Sequence, residues 1–286
     1  MLSLFLSLSA LAADPAPVPV EPPAAPTAWK LVWQEEFDQG TAPDPKIWKH
    51  ENGYVRNQES QYYTHERPEN CRIEKGCLIL EGRKESIPNA EFKAGSGDWR
   101  FKEAKTAYTS ASITTQGTKE FLYGKIEVRA RLPSGQGVWP AIWMLGTNFT
   151  KVGWPACGEI DIMEFIGKNP RTIYGTLHFT SATGHASNTK WHASIGGKVE
   201  LDKLSTDFHL YTIEWDADKI DLFVDGKKYR SVDQKLTQSP DGNMPFRKPH
   251  YLLLNLALGG EWGGPVKDAV LPARFEVDYV RYYQKP

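Results

Sequence analysis

The sequence predicts an all-β fold, a sandwich of two antiparallel sheets. Turn residues recur about every eight to twelve positions from Trp29 onward, the runs between them are short and β-rich, and long helical periodicity is scarce. At 286 residues the chain can bury one large core, and a single domain over 29–286 is an ordinary size for an all-β fold. No internal repeat is evident.

Residues 1–13 combine a short apolar stretch with the small-residue run Ala10-Leu11-Ala12 and read as a signal peptide, although no positively charged start precedes them. Residues 14–28 are rich in proline and alanine, which suits an extended tether between that segment and the domain. The expected location is therefore secreted or periplasmic. No later run is apolar for long enough to span a bilayer.

The cysteines, Cys71, Cys77 and Cys157, are too few for a disulfide framework. Cys71 and Cys77 flank what reads as a tight hairpin, and whether they pair depends on its register. Cys157 reads as a small buried residue. Further strands follow at 77–80, 111–115, 124–130 and 211–215. In 219–229, Asp225-Gly226 marks a two-residue turn and places Ile220, Leu222 and Val224 on one face. The run 275–283 alternates again.

Charge sets limits on the partner. Lys and Arg number 34 against 35 Asp and Glu, for a net charge of -1, so no excess points to nucleic acid or to an anionic membrane surface. A neutral partner fits better, and 10 tryptophans offer flat apolar rings on which uncharged rings can stack.

The chemistry concentrates at 158–167, G-E-I-D-I-M-E-F-I-G. Strict alternation puts Glu159 and Asp161 on one face and sends Glu164 into the core with Ile160 and Ile162. A buried unpaired carboxylate is costly. One extra residue held as a β-bulge near Ile162-Met163 returns Glu164 to the acidic face. Carboxylates crowded there repel, so at least one keeps its proton. One ionised carboxylate and one protonated partner about 5–5.5 Å apart are what a retaining glycosidase needs. By itself the pattern also fits a solvated strand face. The neighbouring Trp139, Trp143 and Trp154 favour a sugar-binding groove.

These stretches, with Leu31 to Phe37, Gln61 to Thr64, Tyr123 to Glu127, Trp139 to Leu145, Gly175 to His178, Phe208 to Tyr211, Leu254 to Gly260 and Val277 to Arg281, resemble glycoside hydrolase family 16, in its laminarinase-like (endo-β-1,3-glucanase) branch. The resemblance implies a jelly-roll β-sandwich with a concave cleft. It makes Glu159 the nucleophile, Asp161 its assisting carboxylate and Glu164 the general acid/base, with His178 nearby. It further implies substrate contacts from Asn57, Arg83, Trp139, Trp143, Trp154 and His178. It suggests a structural Ca2+ held by Asp278 and the carbonyls of Gly76 and Glu36, with no cofactor for catalysis. The implied partner is a β-glucan polysaccharide, bound by a monomer.

Met163, absent from the unbulged E-I-D-I-E pattern, favours β-1,3-glucan. Two departures from the family wording, at 57–61 and at Glu261, leave mixed-linkage glucan or a marine galactan open as the substrate. A non-catalytic β-glucan recognition protein is the rival of another class, and it would be expected to lose the acidic pair. The loop between 84 and 108 is the segment expected at one end of the cleft.

Overall fold

The structure, a computed structural model, describes residues 28–181 and 192–286. The expected signal segment and all of the tether except Ala28 lie outside the described residues. The strands run β1 (Lys30–Glu35), β2 (Lys49–His50), β3 (Gln61–Tyr63), β4 (Cys71–Glu74), β5 (Cys77–Lys84) and β6 (Tyr108–Ser110). There follow β7 (Ser112–Thr114), β8 (Gly124–Arg131), β9 (Val138–Gly146), β10 (Glu159–Phe165), β11 (Thr172–Thr180) and β12 (His192–Glu200). The last are β13 (His209–Trp215), β14 (Lys219–Val224), β15 (Lys227–Asp233), β16 (His250–Leu258) and β17 (Ala273–Gln284).

They form the expected sandwich. One sheet has ten strands, in the order β15-β14-β13-β8-β17-β5-β6-β3 with β1 on β17 and β4 on β5. The other has seven, β12-β11-β10-β9-β16-β7-β2. The pairing is antiparallel apart from the β3–β6 contact. Asp225 and Gly226, at φ +50° and +74°, turn β14 into β15, and Ile220, Leu222 and Val224 all enter the core.

Between the sheets, alternation sorts each strand. Val138, Ile142 and Met144 of β9 and Leu252, Leu254 and Leu256 of β16 pack inward against Val128, Leu80 and Phe275. The opposite parity, Trp139, Ala141, Trp143 and Leu145 with Tyr251, Leu253 and Asn255, lines a cavity on the outer face of the seven-stranded sheet. These strands therefore bury both faces, which explains why β9 and β16 read as continuous apolar runs.

The β4–β5 hairpin settles the cysteines. Lys75 and Gly76 form its turn, so Cys77 pairs with Glu74 and Cys71 with Leu80. Out of register by three pairs, Cys71 and Cys77 stay free thiols, as does Cys157.

Candidate active site

Strand β10 begins after Gly158, whose φ is +81° and where a Cβ would meet the Pro245 side chain at 2.8 Å. Only glycine fits such a turn. Then the register slips. Against β11, Asp161 faces Thr176 and the next paired residue is Glu164, opposite Tyr174; against β9, Asp161 faces Trp143 and Met163 faces Ile142. This is the bulge that Met163 demands. Ile160, Ile162, Met163 and Phe165 all reach the core, while Glu159, Asp161 and Glu164 line the outer cavity together. The Tyr229 hydroxyl lies 3.5 Å from the Ile162 carbonyl that the bulge displaces.

The cavity, about 430 Å³, mixes these carboxylates with Trp139, Trp143 and Trp154. Trp139 Nε1 donates to Glu164 Oε1 at 3.1 Å. Trp143 is anchored from below by a relay of buried polar groups. Its Nε1 donates to Asn255 Oδ1 at 2.7 Å, Asn255 Nδ2 donates to Tyr63 Oη at 3.0 Å, and Tyr63 Oη donates to Glu59 Oε2 at 3.2 Å. Glu59 is 3% exposed and also accepts from Gln61 at 2.6 Å and Asn57 at 3.3 Å. A fully satisfied relay of this kind holds a ring in one orientation. Above Trp143 lies the Arg56 guanidinium, 5.0 Å from the ring centroid and held by both oxygens of Glu51.

His178, on β11 directly opposite Glu159, places Nε2 3.2 Å from Asp161 Oδ2 and 3.8 Å from Glu159 Oε1. The contact to Asp161 is an ion-pair distance and not a formed hydrogen bond, and Asp161 Oδ2 has no hydrogen-bond partner among the described residues. Among the described residues, Glu159, Asp161 and His178 are the group of acidic and imidazole side chains whose ligand atoms lie within 4.8 Å of one another.

Burial dominates the acid–base behaviour. It pushes Asp161 from 3.8 up to about 8. Glu159 rises to about 8, first through burial and then through the Asp161 charge, with His178 and Arg56 pulling the other way. Glu164 rises to about 8 for the same two reasons, opposed by His178 and the Trp139 hydrogen bond. The cavity thus retains protons that exposed carboxylates lose, as acid catalysis at neutral pH requires.

The sequence-derived candidates divide. Asn57, Trp139, Trp143, Trp154 and the three carboxylates line one cavity, and His178 touches it from the side. Arg83 does not join them. On β5, Leu78, Leu80 and Gly82 face the core, so Arg83 projects from the outer face of the ten-stranded sheet, where it pairs with Glu81. The calcium set fits poorly. The only carboxylate in it, Asp278, already receives Arg129 Nη1, and a guanidinium there competes with a cation. Glu36 spends its own carboxylate on Arg281 at 2.8 and 2.9 Å.

Other cavity residues went unpredicted, Glu51, Arg56 and Tyr251 with no local signal, and Asn255 besides. Asn255, one amide inside an apolar strand, was the clue available. The two departures from the family wording touch each other, Gln58 Nε2 donating to Glu261 Oε1 at 3.1 Å, and the 85–107 loop packs Trp99 against Tyr54 at 5.7 Å, beside the cavity residues Val55 to Asn57 in sequence.

Three comparisons bear on this geometry. The model of the glycosyl hydrolases family 16 matches residues 58–281. The chain is 42% identical to a beta-glucanase of Rhodothermus marinus, over 90% of this chain and 85% of that one. It is similar to the laminarinase catalytic domain of Thermotoga maritima, with 40% identity, a TM-score of 0.76, and coverage of 90% and 99%. A structure from work on endo-acting O-glycanases with which human gut bacteria initiate mucin breakdown gives 44% identity, a TM-score of 0.82, and coverage of 92% and 94%.

Proposed function

The chain belongs to the glycosyl hydrolases family 16 and is a glycoside hydrolase of its laminarinase-like branch; we propose that it cleaves β-1,3-glucan of the laminarin type internally, with retention. The observation that carries this reading is the bulge in β10. It puts Glu159, Asp161 and Glu164 in one cavity walled by indoles.

In the first step Glu159 attacks the anomeric carbon while Glu164 gives its proton to the departing glycosidic oxygen, leaving a glycosyl ester on Glu159. Glu164, now ionised, takes a proton from water. That water attacks the same carbon, the ester bond breaks, and the second inversion restores the β configuration. Because charge on Asp161 raises both glutamates, the three groups do not ionise together, and the attack proceeds from the state with Glu159 ionised and Glu164 protonated. Trp139 holds the Glu164 carboxyl in place, and Trp143 and Trp154 offer faces to the pyranose rings. An insoluble or polymeric substrate cannot enter a cell, so the reading includes export beyond the cytoplasm.

A second reading has its own support: cleavage inside mucin-type O-glycans. It rests on the O-glycanase structure, to which both the identity and the TM-score are higher than to the laminarinase domain. Sugar release from laminarin, lichenan, agarose, carrageenan and mucin O-glycans, measured side by side, separates the two. Preference for laminarin supports the first reading; turnover of mucin glycans with laminarin untouched replaces it by the second.

A further inference from the structure

His192 plays no part in the chemistry above, yet it occupies a defined place beside it. On β12, Thr180 pairs with His192 and His178 with Ser194, so the two histidines are diagonal neighbours on one face. Their rings meet edge to edge and nearly coplanar, with centroids 5.1 Å apart and 23° between planes, and His178 Nδ1 lies 2.8 Å from His192 Nε2. The His192 ring also packs against Trp154 at 4.6 Å.

The proton positions follow from elimination. His178 Nε2 stands 3.2 Å from Asp161 Oδ2 and 3.8 Å from Glu159 Oε1. In the reactive state, with Glu159 ionised for attack, a lone pair at that nitrogen would face a carboxylate and be repelled, so Nε2 carries hydrogen. In the neutral ring Nδ1 is then an acceptor. The partner within hydrogen-bond distance of it is His192 Nε2, which must donate.

We propose that His192 is a positioning residue, whose Nε2–H donates to His178 Nδ1 and locks His178 as the Nε2–H tautomer turned toward Asp161 and Glu159. The inference rests on the reading of those carboxylates as the reacting pair. It adds a link, because Trp154, the exposed indole of the cavity, bears on His192, so the sugar platform and the His178 tautomer are braced by one side chain. Without the donor, His178 gains the alternative Nδ1–H tautomer, whose Nε2 lone pair faces the acids, or it turns away. Either change disturbs the field at Glu159 and leaves substrate stacking nearly intact.

The test uses the full chain labelled with 15N-histidine, and long-range 1H–15N correlation spectra assigned with H178N and H192F. The wild type is expected to show His178 with its proton on Nε2 and a pyridine-type Nδ1, and the H192F variant a mixture of tautomers at His178. In kinetics on the preferred glycan, H192F, which keeps a ring against Trp154, is expected to lower kcat about tenfold with KM changed by less than about threefold. H192Q, whose amide can still donate, is expected to recover much of that loss. A wild-type His178 with its proton on Nδ1 overturns the proposal. So does an H192F variant that lowers thermal stability while leaving kcat and the His178 spectrum unchanged. The spectra need no turnover, so a wild type inactive on every glycan defeats the functional reading and leaves the tautomer assignment to stand or fall separately.

Discussion

On the outer face of the ten-stranded sheet, Lys125 meets Glu127 at 2.7 Å, Arg131 meets Glu276 at 2.6 Å and Arg281 meets Glu36 at 2.8 Å. On the outer face of the seven-stranded sheet, Glu159, Asp161 and Glu164 share a cavity in which no Lys or Arg forms an ion pair with them among the described residues. Both faces arise from the same alternation of side chains. The first spends its charges on partners in water, where each pair contributes little. The second concentrates like charges away from water and raises their pKa, a cost to folding that chemistry can use.

The contrast can be broken most sharply at Glu159. Glu159→Gln should reduce turnover by on the order of 10⁴-fold while thermal stability holds or rises, because a repelled buried carboxylate has been removed. Sugar release and a thermal melt on one preparation check both halves. Loss of folding in this variant would make Glu159 a structural residue instead.

The pH dependence comes next. Asp161 keeps its proton in the folded protein up to about 8, against 3.8 ordinarily. A raised carboxyl pKa stabilises the fold fully below the unfolded pKa, and that stability is lost as pH climbs toward the folded one. The melting temperature of Asp161→Asn minus that of wild type should therefore grow from about pH 5 to about pH 8. A difference that stays flat over this window would mean that Asp161 is ionised throughout it.

Trp139→Phe keeps a ring in the cavity and removes the donor to Glu164. Steady-state kinetics should show kcat down about tenfold, with a smaller change in KM. On the other face, Arg131→Ala should cost no more than about 1 kcal/mol by chemical denaturation and leave kcat alone. The smallest effect concerns metal: with Asp278 engaged by Arg129, EDTA should leave the melting temperature unchanged. A clear drop that calcium restores would reinstate the Asp278 site.

Much of this face was readable in the sequence, because local counting sufficed. Met163 is one residue too many for alternation, and a bulge is the only way to keep Glu164 out of the core. Trp139 and Trp143 likewise declare themselves by their shared parity on β9. Arg83 was not readable in the same way. On β5 both parities carry apolar residues, Ile79 on one side and Leu78 and Leu80 on the other, so its face could not be chosen from pattern alone. Gly82 was the missing clue: Leu256 and Leu258 fill the space a side chain would need there. Asn255 and His192 act through partners far along the chain, Trp143 and His178, and only sheet register brings those together. The Cys71–Cys77 question also waited on register, since a two-residue turn fixes Cys77 opposite Glu74.

The central claim, that Glu159 attacks and Glu164 serves as acid and base, is tested most directly by trapping the glycosyl-enzyme with a 2-deoxy-2-fluoro glycoside and mapping the adduct by peptide mass spectrometry. The account predicts one sugar on the peptide ester-linked at Glu159. An adduct on Glu164, or no adduct together with products released as the α anomer, would contradict it.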